Sequence, residues 1–192
     1  MEARLLPDGD IRVRGASRDE LFTVINAGVG WPAEQPAAIV VLGLRVDGRF
    51  HALEEARGSL FEIGAAAGEF ADRLLVDTFL IDASDRVAGG YFRRTAVNGR
   101  QAIRAVPVRI IRNFGSALEH ARGLLLNESA LINERLCPTL LYSLRQNHEY
   151  AMRAPVVRAL VYGLLALQDW NATDDVALRS PDRGWYRNRR RR

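Results

Sequence analysis

Few residue types in this chain could carry out chemistry, and most of the candidates are carboxylates in or beside apolar segments. Asp77 lies inside the segment LLVDTFLID, residues 74–82, and Asp82 ends it. Glu54 and Glu55 are adjacent in another apolar segment, so in a strand their side chains would point to opposite faces. Carboxylate oxygens are the ligands that hard divalent ions such as magnesium and manganese require. A structural interpretation competes with this one, because a carboxylate at a strand end can also cap the following turn.

Asn26 allows a similar choice of interpretations. It follows the apolar residues LFTVI and precedes Gly28 and Gly30. As a structural residue, an asparagine here would tolerate the unusual backbone angles of a turn. As a chemical residue, it offers an acceptor oxygen without a charge, in a place that would suit a metal-binding aspartate. The residues alone leave both interpretations open.

The other reactive residue types exclude several kinds of site. All 27 basic residues are arginines, so lysine-dependent chemistry is excluded, including the phosphate-loop motif GxxxxGK[ST]. The histidines, His51, His120 and His148, have no metal-ligand spacing. The single cysteine, Cys137, fits a reducing compartment and a place in the core better than a disulfide or a thiolate metal cluster. No serine lies in the context of a nucleophile elbow.

The bulk composition predicts an ordinary globular domain. With 192 residues, of which 48% are hydrophobic and 26% charged, the chain can bury one full core and still carry a tail. No window approaches about eighteen uninterrupted apolar residues, which argues against a membrane span. The start MEARLLPDGD lacks the apolar region of a secretory signal, so we expect no export by that route.

Apolar periodicity predicts a run of strands in the first half of the chain. Asp47-Gly48 is typical of a hairpin turn between two of them. Gly28 and Gly30 are expected in a loop after the first strand. The fourth strand is expected to be parallel to the first, because a helix precedes it. The predicted strands cover residues 21–27, 37–46, 50–57 and 74–82.

Helices are predicted after the third strand and through most of the second half. Ser59 as N-cap with Glu62 three residues later has the spacing of a capping box and predicts the start of the first helix. The segment 85–112 is ambiguous, with a hairpin signal at Asn98-Gly99 and a strand pattern over 105–111. The later predicted helices begin at Ser116 and cover 138–147 and 154–168, with Pro155 in the first turn of the last.

Composition divides the chain into three parts. Residues 1–19 contain the turn signal PDGD and a short polar–apolar alternation, which predict an N-terminal arm or an edge hairpin. Residues 20–169 form the predicted domain. Residues 170–192 are polar and rich in turn residues, which predicts a poorly packed basic tail.

The end of this tail could bind nucleic acid, because arginines contact phosphates and aromatic rings stack on bases. A solvated terminus with incidental charge and a contact for a protein partner are the alternatives. The candidate nucleic-acid-binding residues are Trp185, Tyr186, Arg187, Arg189, Arg190, Arg191 and Arg192.

The order of these elements resembles the RNase H-like fold, a mixed α/β sheet flanked by helices. Within that fold, the chain resembles the nuclease domain of the large terminase subunit of tailed phages, the DNA-packaging enzyme. The resemblance spans roughly residues 20–168. The stretches that carry it are FTVINAGVG, AAIVVLGLRVDGRFHALEEARGS and RLLVDTFLID, with weaker support from PVRIIRNFGSALEHARGLL, LYSLRQNHEY and APVVRALVYGLLAL.

The resemblance implies three essential carboxylates that hold two divalent metals about 4 Å apart for phosphodiester hydrolysis. Their positions fall on Asn26, on Asp77, and on Ala154 and Arg158 at the start of the last helix. At an effective dielectric of about 20, a like charge 4 Å from a metal costs roughly 4 kcal/mol per unit charge. The resemblance therefore implies a degenerate site, in which Asp77 and Asp82 are the remaining metal-ligand candidates.

Three functional hypotheses follow. The first is a degenerate nuclease-like domain without a cofactor, from a phage or phage-derived particle, that contacts DNA or a portal, capsid or ATPase component. The second is an active magnesium- or manganese-dependent DNA endonuclease of terminase or resolvase type, using a rearranged carboxylate set. The third is a protein-binding scaffold with no nucleic-acid role. The expected location is the host cytoplasm or the virion, and no membrane is involved. The rearranged set would be drawn from Asp77, Asp82, Glu54, Glu55, His148 and Glu149.

Overall fold

A computed structural model describes residues 1–14, 19–31, 36–76, 78–82, 104–108 and 114–171. The strands are β1 Glu2–Leu5, β2 Ile11–Arg14, β3 Asp19–Gly30, β4 Ala37–Arg45, β5 Phe50–Gly58, β6 Thr78–Asp82, β7 Arg104–Val108 and β8 Ala130–Ile132. The helices are α1 Leu60–Leu74, α2 Phe114–Leu126, α3 Pro138–Arg145, α4 His148–Arg153 and α5 Pro155–Asn171. Among the helices in these ranges, none is long and apolar enough to cross a membrane.

The described strands form one mixed, eight-stranded sheet with β3 at its centre. One edge of β3 pairs with the antiparallel strand β4. The other edge pairs first with the antiparallel strand β2 and then with the parallel strand β6. Beyond these neighbours, the sheet continues from β4 to β5 and β8, and from β6 to β7. The predicted α/β class and the parallel return to the first long strand are confirmed.

Helices cover both faces of the sheet, because β4 and its neighbours are apolar on both sides. Ile39 and Val41 of β4 belong to the buried cluster that contains α1 residues such as Ile63. Val40 and Leu42 belong to the cluster on the opposite face, which α2 to α5 complete. This alternation follows from the two-residue period of a strand. It assigns each residue of the central strands to the α1 side or the α5 side.

The turn and helix start that short sequence motifs predict are present in the structure. Gly48 has a φ of +85°, which only glycine adopts readily, and Asp47 accepts a hydrogen bond from the Arg49 N–H in the β4–β5 turn. Ser59 and Glu62 make both hydrogen bonds of the capping box that starts α1. The N-terminal segment forms the β1–β2 hairpin at the edge of the sheet.

Two predictions about strand boundaries are wrong. β6 begins at Thr78 and not at residue 74, because α1 continues through Leu74 and Leu75 ends it in the left-handed conformation. β3 continues through Gly28 to Gly30, where the sequence predicts a loop, because the backbone of α5 packs directly on these glycines. In addition, no sequence pattern predicts the short strand β8. The hairpin signal at Asn98-Gly99 and the tail residues 172–192 lie outside the described residues.

Candidate functional site

The candidate site lies where β3 runs beneath α5. Asn26 sits inside β3, opposite Leu42 of β4, and is 2% exposed. Ile25 and Ala27 belong to the α1-side cluster, so the alternation of the strand turns Asn26 toward α5. Asn26 is therefore a buried strand residue and not a residue of an exposed turn.

The backbone of α5 lies directly on β3 at this place. A Cβ at Gly28 would overlap the carbonyl oxygen of Ala159, and one at Gly30 would overlap that of Pro155. On the helix side, a Cβ at Gly163 would overlap the Leu42 side chain. Gly28 and Gly30 are thus required by the close approach of two backbones, and Gly163 by the Leu42 side chain. The space beside Asn26 on this face is occupied by protein.

Arg158 also lies on α5, but its guanidinium is engaged elsewhere. The Nε donates to the Met152 carbonyl at 3.3 Å, and the guanidinium carbon lies 5.2 Å from the centroid of the Phe114 ring. Arg158 thus ties α5 to α4 and to the start of α2, and the contact with Phe114 is a cation–π interaction. Among the described residues, no hydrogen bond joins Arg158 to Asn26.

The two aspartates predicted near the site have different positions. Asp77 lies outside the described residues. Asp82 is the last residue of β6 and pairs with Val108 of β7. Continuing the β3–β6 register by one step puts Asp82 level with Gly30. Asn26 is four residues earlier in β3, about 13 Å at roughly 3.3 Å per residue, so Asp82 and Asn26 are at different heights in the sheet.

The alternative carboxylates are held by partners in different parts of the molecule. Glu54 accepts hydrogen bonds from both terminal nitrogens of Arg73 on α1, at 3.0 and 2.8 Å. Glu55 accepts from the backbone N–H groups of Thr139 and Leu140 at 2.8 Å, at the start of α3. The side chains of Glu54 and Glu55 therefore do not converge on one cleft.

The remaining members of that set are exposed and paired. His148 lies 2.9 Å from Glu119, and Glu149 accepts from Arg153 at 2.7 Å. Within the part of the chain that the structure describes, no group of three His, Cys, Asp or Glu side chains could share a metal ion. The buried thiol of Cys137 has a pKa well above its usual range because burial disfavours the thiolate, so it is a core group and not a nucleophile.

Sequence reasoning missed a cleft on the α5 side of the sheet, at the start of α5. Its volume is about 390 Å³, and it lies where β5, α3, α4 and α5 meet. Neither helical periodicity nor any motif indicates it, because its residues are far apart in the chain. The lining residues include Arg57, Ser143, Tyr150, Arg153 and Val156, together with Glu149 and Ala154, which the sequence suggests as site positions for other reasons.

The fold of this chain is similar to that of solved phage terminase structures. The large terminase nuclease domain of phage P22 aligns with a TM-score of 0.59 at 12% identity, over 88% of this chain and 87% of that one. The fold is RNase H-like. The large terminase of a thermophilic bacteriophage aligns with a TM-score of 0.57 at 11% identity, over 77% of this chain. The chain spans only 40% of that protein's length.

No protein-family model matches this RNase H-like chain, and no curated protein matches it by sequence. The structural similarity confirms the predicted resemblance to terminase nuclease domains at the level of the fold. At this level of identity it does not carry over the activity of those proteins, because one fold hosts many functions. The function must therefore be argued from the residues at the site.

Proposed function

We propose that this chain is a terminase-nuclease-like domain whose two-metal site is degenerate and which acts through nucleic-acid contacts. The observation that carries the proposal is the burial of Asn26, an uncharged residue that is 2% exposed beneath α5. Two metals in a nuclease must be reached by both water and a phosphodiester. A side chain covered by a helix backbone offers neither kind of access.

The residue types at the other predicted positions also argue against a pair of dications. At the start of α5, where the resemblance would need a carboxylate, Arg158 supplies a cation instead, and its guanidinium is held by the Met152 carbonyl and the Phe114 ring. Asn26 supplies no compensating charge. Asp82 at the end of β6 and Asp77 are left as the carboxylates of the predicted set. The described residues therefore do not fit a magnesium or manganese pair.

We place the protein in a phage or phage-derived particle. DNA is the partner that the fold favours, with a portal, capsid or ATPase component as a possible protein contact. The proposal includes the arginine-rich residues of the tail, Arg187 and Arg189 to Arg192, together with Trp185 and Tyr186. These residues would add to DNA affinity through phosphate contacts and base stacking.

Two assays on the full chain test this function together. Supercoiled plasmid incubated with manganese should remain uncut at high protein concentration. DNA binding measured by fluorescence anisotropy should weaken steeply as salt increases, and should weaken further when residues 185–192 are deleted. Cleavage that is lost in Asp82→Ala or Asp77→Ala would instead establish an active nuclease. An absence of DNA binding even at low salt would favour a protein-binding scaffold.

A further inference from the structure

Two arginines, Arg57 and Arg153, and one carboxylate, Glu149, line the cleft at the start of α5, which leaves one excess positive charge. Arg57, at the end of β5, is exposed and makes no ion pair or side-chain hydrogen bond with any described residue. Arg153 on α4 pairs with Glu149 at 2.7 Å, but the two side chains are 71% and 76% exposed. An exposed pair of this kind contributes little and is readily exchanged for another partner. Both guanidinium groups are therefore available to an anion.

The first turn of α5 adds hydrogen-bond donors to the same cleft. Val156 lines it, and no hydrogen bond between described residues uses the Val156 N–H. Ala154 precedes the helix and has no side chain that could cap it, and the first turn contains no acidic residue. The unpaired N–H groups at a helix start carry partial positive charge and bind anions.

A buried hydroxyl provides evidence that is independent of the helix end. Ser143 of α3 lines the cleft and is 2% exposed. Among the described residues, no hydrogen bond uses its hydroxyl group. The hydroxyl is therefore free to donate, and a ligand oxygen in the cleft would give it an acceptor.

Aromatic side chains stand at the edge of the cleft. Tyr150 lines it and is 49% exposed, and its ring meets that of Tyr142 edge to face with centroids 6.3 Å apart. Tyr142 is itself 58% exposed. Proteins that bind single-stranded nucleic acid combine aromatic rings, which stack on bases, with basic residues, which contact phosphates.

From these features we infer that the cleft binds a phosphate group of a nucleic-acid strand. Arg57, Arg153, the Val156 N–H and the Ser143 hydroxyl donate to the phosphate oxygens, and Tyr150 lies beside the adjoining base. The volume of about 390 Å³ accommodates a phosphate with its sugar. The choice of nucleic acid as the source of the phosphate rests on the proposed function. Asn26 does not line the cleft, but Ala154 does, and Ala154 is one of the two positions to which the resemblance assigns the third carboxylate.

The test uses the full chain and a fluorescently labelled single-stranded oligonucleotide, with binding followed by anisotropy. Arg57→Gln and Ser143→Ala remove one donor each from the cleft. Arg145→Gln is the matched control, because Arg145 is exposed on α3 and does not line the cleft. Urea unfolding of each variant verifies that the fold is retained. A second titration adds inorganic phosphate as a competitor, against sodium chloride of equal ionic strength.

We expect Arg57→Gln to weaken binding by about tenfold or more, the effect of losing a charge-assisted hydrogen bond. Ser143→Ala should weaken it severalfold, and Arg145→Gln should change it less than either. Inorganic phosphate should displace the oligonucleotide from the parent chain and much less from Arg57→Gln.

Three results would overturn the inference. Equal losses in Arg57→Gln and Arg145→Gln would show only general attraction to charge, and the proposed DNA-binding function would survive. Displacement by phosphate that equals displacement by chloride would lead to the same conclusion. Absence of any oligonucleotide binding, even at low salt, would overturn both this inference and the nucleic-acid role.

Discussion

Gly28 of β3 and Ala159 of α5 are in backbone contact, so that a Cβ on Gly28 would overlap the Ala159 carbonyl oxygen. This contact fixes the distance between the central strand and the last helix. It also covers Asn26, two residues earlier on the same face of β3. The packing of β3 against α5 thus leaves no room for a metal site beside Asn26.

Gly28→Ala should destabilise the protein strongly, because neither backbone can move away without disturbing the core. Overpacking of a tight core costs about 1–3 kcal/mol, and here we expect the upper end of that range or more. The free energy of unfolding in urea measures the effect.

Gly123→Ala is the matched control, since Gly123 lies within α2 and a Cβ there meets nothing within 4 Å. That substitution should stabilise the protein by up to about 1 kcal/mol, the helix preference of alanine over glycine. Equal effects of the two substitutions would contradict the backbone contact at Gly28.

Asn26→Asp should not restore metal-dependent cleavage, and it should lower stability. The carboxylate would be buried beneath α5, where loss of hydration disfavours its charged form and raises its pKa. The destabilisation should therefore be small at low pH and grow as the pH rises through the ordinary range of aspartate. Urea unfolding at several pH values measures it, and manganese-dependent cleavage by Asn26→Asp would refute the argument from burial.

Asp47 should titrate well below an ordinary aspartate. The hydrogen bond donated by the Arg49 side chain lowers the pKa of Asp47 from 3.8 to about 2, and the Arg49 N–H and the charge of Arg45 act in the same direction. Since the folded pKa is below the unfolded one, the stabilisation is complete above about pH 4 and is lost as the pH falls toward 2. An NMR titration should show this, and Arg49→Gln should move the pKa of Asp47 upward.

Arg73 should contribute more to stability than the exposed arginines do. It bonds both carboxylate oxygens of Glu54 and also the Met1 carbonyl, so it joins α1 to β5 and to the N-terminus. We expect Arg73→Ala to cost about 2 kcal/mol, because two-point pairing of partly buried groups is lost. Arg73→Lys should recover only part of this.

Arg153→Ala is the control for this measurement, since its exposed pair with Glu149 should contribute no more than about 0.5 kcal/mol. Thermal or urea unfolding of the three variants separates the effects. A cost for Arg153→Ala as large as that for Arg73→Ala would contradict the distinction between partly buried and exposed ion pairs.

Sequence patterns predicted the elements whose signals are local. The capping box of Ser59 and Glu62 and the hairpin turn at Asp47-Gly48 depend on a few neighbouring residues, and both form as expected. Glycine is a local signal too, but at Gly28 it indicated a loop where the structure has a strand. The reason is a contact with α5, more than a hundred residues away in the chain, and no local pattern reports such a contact.

The parts of the site that escaped prediction are also those built from distant segments. β8 has only three residues and exists because Phe50 to Ala52 of β5 offer it a parallel edge. The cleft joins Arg57 to Ser143 and Val156, which share no periodicity. Asp77 stays a predicted metal ligand outside the described residues, and its pairing with Asn26 and Arg158 in one pocket stays a prediction.

Direct measurement of manganese binding tests the degenerate site without relying on cleavage. Calorimetry or electron paramagnetic resonance on the full chain, with Asp82→Asn and Asp77→Asn for comparison, would count the bound ions. We expect only weak binding, without a pair of coupled ions and without a difference between the parent chain and the two variants. Two manganese ions per chain, lost in either variant, would contradict a degenerate site.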